Sequence, residues 1–197
     1  MLIHPLAERL RTLGLAAMAD AFLEMQNHAD AADLTREDWL GLLLDREITA
    51  RDGKRLARRL SVARLRPNAV VEDTDFRAPR GLDRTLFHKL AGCGWIRHSQ
   101  HLVISGPTGT GKSWLACALG NRACREGIWV LYRRAPRLFA ELATARGEGR
   151  LPRMLAMLER TRLLIVDDWG PEPLTAEQRR DLQEIADDRY EKGTLLL

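Results

Sequence analysis

The octet Gly106-Pro107-Thr108-Gly109-Thr110-Gly111-Lys112-Ser113 constrains the fold of this chain more than any other stretch, because it has the G-x-x-x-x-G-K-[ST] spacing of a phosphate-binding loop. Leu102-Val103-Ile104 precedes it with a β-branched pair that favours a buried strand, and Trp114-Leu115-Ala116-Cys117-Ala118-Leu119 follows with helical composition. Strand, glycine loop and helix in that order belong to an α/β fold built on a parallel sheet. The glycines let the backbone curl until successive N–H groups converge on phosphate oxygens, and the helix N-terminus adds its partial positive charge. In such a loop Lys112 reaches the β- and γ-phosphates of a nucleotide and Ser113 offers its hydroxyl to Mg²⁺.

A loop of this kind needs carboxylates opposite it. Leu163-Leu164-Ile165-Val166-Asp167-Asp168 provides a four-residue apolar run that reads as a parallel strand buried on both faces, with two acids at the C-terminal end where open α/β sheets bind ligands. In this Walker-B pattern Asp167 holds Mg²⁺, and Asp168 orients or deprotonates the water that attacks the γ-phosphate. Adjacent acids point to water as the acceptor. A small-molecule kinase wants a lid and an acceptor pocket instead.

At 197 residues the chain is long enough for one core and an appendage, and 31 Lys+Arg against 27 Asp+Glu leave a formal charge of only +4. No apolar run approaches the ~20 residues of a membrane span and no charged-then-apolar leader follows Met1, so the expected location is cytoplasmic, with no membrane partner. Cys93, Cys117 and Cys124 lack C-x-x-C spacing, which argues against a zinc site or a disulfide framework. Cys117 and Cys124 read as small core residues.

The first hundred residues are organised differently. Leu6, Leu10, Leu13, Ala17, Ala21 and Met25 recur at helical spacing after Pro5, and Thr35-Arg36-Glu37-Asp38 reads as an N-cap with an acidic first turn ahead of Trp39, Leu42, Leu43 and Leu44. From 51 to 66 the cations Arg51, Lys54, Arg55, Arg58, Arg59, Arg64 and Arg66 face Asp52 alone, so 7 − 1 gives +6. On one side of a helix carrying Leu56 and Leu60 these cations can neutralise DNA phosphates; a solvated basic face or a docking surface is the alternative. Arg133, Arg134 and Arg137 form a second basic group that could face the same DNA.

Pro67-Asn68-Ala69 breaks the basic helix, and 72–81 is rich in turn formers, which puts a boundary near residue 70. The expected organisation is a helical DNA- or partner-binding domain over 1–70, a linker and lead-in helix (Leu82, Leu86, Leu90) over 71–100, and a phosphate-loop ATPase domain over 101–197. Within the last, a strand is expected over 128–132, helices over 135–145, 151–159 and 175–190, and a final strand from Gly193. Thr175 and Gln178 have the spacing of a capping box.

These features together resemble the IstB-like transposition helper ATPases across nearly the whole chain, the carriers being the phosphate loop with Trp114–Gly120, the 163–170 run, the 174–182 segment and the basic 51–66 helix. That family is similar to the DnaC helicase loaders and belongs to the AAA+ ATPases. The resemblance implies an α/β AAA+ P-loop NTPase fold, a parallel sheet of order 5-1-4-3-2 flanked by helices, with a small all-α domain before it. It implies ATP and Mg²⁺ as cofactors, bound by Gly106, Pro107, Thr108, Gly109, Thr110, Gly111, Lys112, Ser113 and Asp167, with Lys112 and Asp168 catalytic. It also implies assembly into an ATP-dependent oligomer on double-stranded DNA and recruitment or stimulation of an IstA-like transposase. A DnaC-like helicase loader, or an assembly module with little turnover, is the alternative. Family members continue past the last apolar strand into a sensor residue, an arginine-finger helix and a fifth strand. The resemblance therefore implies a C-terminally truncated ATPase with impaired hydrolysis, in which Arg179, Arg180 or Arg189 are the in-chain candidates for the finger.

Overall fold

The structure, a computed structural model, describes residues 4–27, 34–169 and 173–197. The chain divides into two compact units, Met1–Ala57 and Arg58–Leu197. The division thus falls inside a helix, whereas the helix-breaking composition lies near residue 70. No described helix is long and apolar enough to cross a membrane.

In the first unit, Pro5 occupies the first turn of α1 (Pro5–Thr12), where its missing N–H costs nothing, and the His4 ring accepts from Leu6 N–H at 3.3 Å. The single helix expected through Met25 is interrupted. Gly14 adopts φ +75°, Leu13 is left 72% exposed, and α2 (Ala16–Gln26) starts afresh. The apolar spacing survives the interruption, so Ala7, Met18, Ala19, Ala21, Phe22 and Leu43 still share one core. Phe22 meets Trp39 edge-on with ring centroids 5.4 Å apart.

The apolar face expected to continue from Trp39 through Leu60 lies on one helix, α3 (Arg36–Ala63), started by the Thr35 hydroxyl accepting from Asp38 N–H at 3.1 Å. From α3 the buried Glu47 carboxylate accepts Met18 N–H at 3.0 Å, capping an α2 that has no side-chain cap of its own. Arg51 donates to Glu47 at 2.8 Å. That ion pair, helped by the Met18 N–H, holds the Glu47 carboxyl below its usual range.

The second unit adds helices α4 (Arg84–Ala91) and α5 (Gly94–Arg97) ahead of a sheet-and-helix core. There α6 (Lys112–Arg125), β1 (Val130–Arg134), α7 (Ala135–Gly147), α8 (Leu151–Arg160), β2 (Leu163–Asp167), α9 (Ala176–Asp188) and β3 (Thr194–Leu196) follow one another. The strands are parallel in the order β1-β2-β3, with Val130 beside Leu163 and Leu163 beside Thr194. Residues 102–104 extend the sheet beyond β3, because Leu102 N–H donates to Leu195 O (2.9 Å), Leu197 N–H to Leu102 O (3.0 Å) and Ile104 N–H to Leu197 O (2.7 Å). In chain order of the strands this is 1-4-3-2, four members of the expected arrangement.

β2 is buried along Leu163, Leu164, Ile165 and Val166, as its unbroken apolar run requires. One face meets α6 at Gly120, where an added Cβ would lie 2.9 Å from Ile165 Cδ1. The other face joins Leu131, Leu138, Leu142, Leu158, Ile185 and Leu195 in one cluster with α7, α8 and α9. The Thr175–Gln178 capping box starts α9. In α4 the buried aromatic is Phe87, while Leu86, expected inward, is 53% exposed.

β1 is displaced from its expected span. Gly127, at φ +83°, ends α6, and Ile128 N–H returns to Ala123 O at 3.0 Å, so 127–128 serve the helix cap before the strand can begin. The strand consequently runs on through Arg133 and Arg134, which pair in register with Val166 and Asp167.

Arg189 is completely buried. Its Nη1 donates to Leu158 O (2.6 Å), and its Nη2 to Thr161 O (2.7 Å), Arg162 O (3.2 Å) and Thr194 O (2.7 Å). Burial pulls its pKa down to about 10. It ties the end of α8 to the start of β3, which engages it in the interior and removes it from the candidates for a finger. Cys93, Cys117 and Cys124 are buried free thiols, and burial raises each above the ordinary thiol range.

Candidate functional site

The loop between residues 104 and 112 turns through the left-handed region at Gly109 (φ +85°) and Gly111 (φ +88°), where a side chain would strain the backbone. At Gly111 a Cβ would in addition stand 2.8 Å from Arg80 Nη1. The Arg80 guanidinium donates to Thr110 O (3.1 Å) and to Asp75 O (2.7 Å), so the stretch expected to be a linker grips the loop from behind. Thr110 Oγ1 donates to Pro107 O at 2.9 Å and closes the turn.

Lys112 is the first residue of α6, and its ammonium lies within the loop, donating to Gly106 O (2.7 Å) and Pro107 O (2.9 Å). The free N–H groups at the start of α6 therefore face the same space as a cation, a combination suited to phosphate oxygens.

Ser113, one residue on, donates its hydroxyl to Asp167 Oδ1 at 2.9 Å. The two oxygens expected to share a cation are thus adjacent although 54 residues separate them. Asp167 Oδ1 also accepts Asp168 N–H at 3.0 Å, and Oδ2 accepts the Tyr132 hydroxyl at 2.6 Å. Burial, then the bond to Asp167, pushes the Tyr132 phenol well above its ordinary value, so it remains a donor. Asp168 leaves the strand at φ +57°, and Arg134 donates to its Oδ2 through both Nε (2.8 Å) and Nη2.

Of these, Gly106, Gly109, Gly111, Lys112, Ser113, Asp167 and Asp168 line a cleft of 620 Å³ that also takes in Ser105, Trp114, Trp169 and Arg66. Its size is within the range of small-ligand sites. A cradle of N–H groups, an ammonium, a hydroxyl paired with a carboxylate and a second carboxylate can hold a triphosphate and one hard cation.

Residues Gly106 to Ser113, Asp167 and Asp168 are therefore brought together. The seven cations of the basic stretch are not alike. Arg51 is engaged with Glu47, Arg55 with Asp52 (3.3 Å), and Arg59 with Cys124 O (3.1 Å), while Arg58 lies 5.9 Å from the Trp129 ring centre. Lys54 and Arg64 are exposed, and Arg66 lines the cleft. In the second basic group Arg133 and Arg137 both bond Glu141, at 3.4 Å and 3.1 Å. Tyr132, Arg134 and Arg80 are site residues that motif reading misses. The signal for the first two was the strand register, which a two-residue shift of β1 conceals.

A family profile described as IstB-like ATP binding protein matches residues 8–197. The insertion sequence ATP-binding protein y4pL of Sinorhizobium fredii is 52% identical over 197 residues, covering 100% of this chain and 80% of that protein. The insertion sequence IS21 ATP-binding protein of Pseudomonas aeruginosa is 33% identical over 195 residues, covering 99% and 72%. Among solved structures, the DnaC helicase loader superposes with TM-score 0.52 at 24% identity, over 57% of this chain and 65% of that one. The replication initiator DnaA bound to AMPPCP and single-stranded DNA gives TM-score 0.57 at 22% identity, over 68% and 42%. At such identities these two likenesses speak for the fold, an AAA+ P-loop NTPase-like α/β arrangement.

Proposed function

Because the chain belongs to the IstB-like ATP-binding family, we propose that it binds Mg-ATP between the loop 106–113 and the acidic end of β2, and acts as a helper of DNA transposition. In this reading copies assemble on double-stranded DNA and recruit or stimulate an IstA-like transposase. The 2.9 Å bond from Ser113 Oγ to Asp167 Oδ1 carries the nucleotide part. A hydroxyl and a carboxylate held this close are the hard oxygen donors Mg²⁺ takes, and they stand where the helix start presents its N–H groups. The residues thus fit the cation.

Ser113 and Asp167 would hold Mg²⁺, which would supply positive charge to offset that of the phosphates. Thr108 to Ser113 would orient the phosphates through backbone N–H groups, Pro107 having none to give, and Lys112 would exchange the carbonyls of Gly106 and Pro107 for the β- and γ-phosphates. Asp168, with Oδ2 taken by Arg134, has Oδ1 left to orient a water or accept its proton.

Titration with a fluorescent ATP analogue in Mg²⁺ tests the assignment. Lys112→Ala should remove most affinity and leave the fold intact, whereas Asp168→Asn should bind normally and lose phosphate release. Equal affinity in the wild type and Lys112→Ala would overturn it.

A second reading, a DnaC-like helicase loader, makes the partner a helicase; the likeness to the DnaC structure itself is one of fold. Capture of a transposase from a mixture of the two favours the first reading, and capture of the helicase the second.

A further inference from the structure

Arg66 is read from sequence with the DNA-facing cations, yet it lines the cleft with Lys112, Ser113, Asp167 and Asp168. We propose that Arg66 is a nucleotide-site residue that reads the terminal phosphate of ATP, and so belongs to triphosphate recognition instead of DNA binding. The proposal rests on the ATP-binding reading of the cleft.

Three observations carry it. First, Arg66 has no carboxylate partner among the described residues, in contrast to Arg51 and Arg55 of the same stretch. Second, it shares the lining of the cleft with both carboxylates, Asp167 and Asp168, and with the Ser113 hydroxyl that bonds Asp167. The Ser113–Asp167 pair would hold the metal, and Lys112, next in sequence to Ser113, would reach the β- and γ-phosphates, so the terminal phosphate belongs to this part of the lining. Third, the charges need it. A triphosphate with one Mg²⁺ stays anionic, Asp167 and Asp168 add to that, and Arg134 is spent on Asp168. Lys112 alone would be left for the β- and γ-phosphates. A guanidinium in the lining supplies bidentate donors to an oxygen-rich, doubly charged group.

The anchoring of the segment explains why a residue outside the nucleotide motifs can be held there. Leu65, the preceding residue, lies against Gly120 of α6, where an added Cβ would be 2.9 Å from Leu65 Cδ2. Ala63 and Ala69 on either side are fully buried. The backbone is therefore fixed on both sides of an exposed side chain.

The test compares Mg-ATP and Mg-ADP affinities by calorimetry for the full chain, Arg66→Ala, Arg66→Lys and Lys112→Ala, with folding checked by circular dichroism. Without one charge-assisted hydrogen bond to the γ-phosphate, Arg66→Ala should bind Mg-ATP about tenfold or more weakly and Mg-ADP within about twofold of the wild type. Arg66→Lys should recover part of the difference. An equal loss for ATP and ADP would make Arg66 a support of the cleft and overturn the proposal. Unchanged nucleotide affinities with a flatter salt dependence of duplex binding would return it to the DNA-facing set, also overturning it. Failure of the ATP reading itself is distinguishable, because Lys112→Ala would then bind as the wild type does.

Discussion

Arg134 at the end of β1 holds Asp168 at the end of β2 through two donors to one carboxylate oxygen, Oδ2. In the strand order 102–104, β3, β2, β1, this bond draws Asp168 toward the side of the sheet away from the strand that leads into the phosphate loop. The left-handed backbone at Asp168 permits that direction.

A carboxylate tied in this way is a poorer orienter of water than a free one. Arg134→Gln should therefore raise single-turnover phosphate release several-fold while changing ATP affinity less than about twofold. A drop in phosphate release would mean that Arg134 positions Asp168 for the reaction and does not restrain it.

Tyr132→Phe should act on the metal. The phenol fixes Asp167 Oδ2 at 2.6 Å and leaves Oδ1 turned to Ser113. Removing such an outer hydrogen bond costs about 10–100-fold in metal affinity where it has been measured. The Mg²⁺ concentration that half-saturates ATP binding should rise by at least the lower figure, with metal-free ATP binding unaltered. Because burial raises the phenol's pKa above 10.0, the wild-type Mg²⁺ dependence should show no titration of Tyr132 up to that pH.

The nucleotide-binding half of the site was legible because it is local. The G-x-x-x-x-G-K-[ST] spacing, the apolar run ending in Asp167-Asp168 and the Thr175–Gln178 cap each specify their own geometry within a few residues. What escaped depends on strands distant in sequence. Tyr132 and Arg134 become site residues only once Arg134 stands beside Asp167 in the β1–β2 register. Arg66 looks like its basic neighbours until Leu65 is seated on Gly120. Gly14 interrupts a helical pattern that the apolar spacing alone runs straight through.

Arg189 gives a test of stability independent of nucleotide. Arg189→Met should cost about 3 kcal/mol, because Leu158 O, Thr161 O and Thr194 O lose their donor together in the interior. Urea unfolding should show a lower midpoint with the same slope. The folded pKa of about 10 lies below that of the unfolded guanidinium, so above about 10 the unfolded chain holds the extra proton and this group's contribution rises with pH. Below about 10 both states are protonated, and the loss on substitution should stay constant from about pH 6 to about pH 9.

The basic stretch separates into cations with internal duties and cations without. Lys54 and Arg64 are exposed, and Arg55 is held only by an exposed pair with Asp52, an interaction worth little in water. If these cations neutralise DNA phosphates, Lys54→Glu with Arg55→Glu and Arg64→Glu should weaken duplex binding evenly across sequences. The log–log salt slope should fall by about 0.9 for each phosphate that is no longer neutralised. Arg59→Ala removes a donor from Cys124 O and should lower stability by about 1 kcal/mol. Its effect on the salt slope should be smaller than that of the triple variant. Filter binding across a salt series, read beside urea unfolding of the same variants, checks both. An unchanged slope in the triple variant would make the exposed cations a protein-docking face.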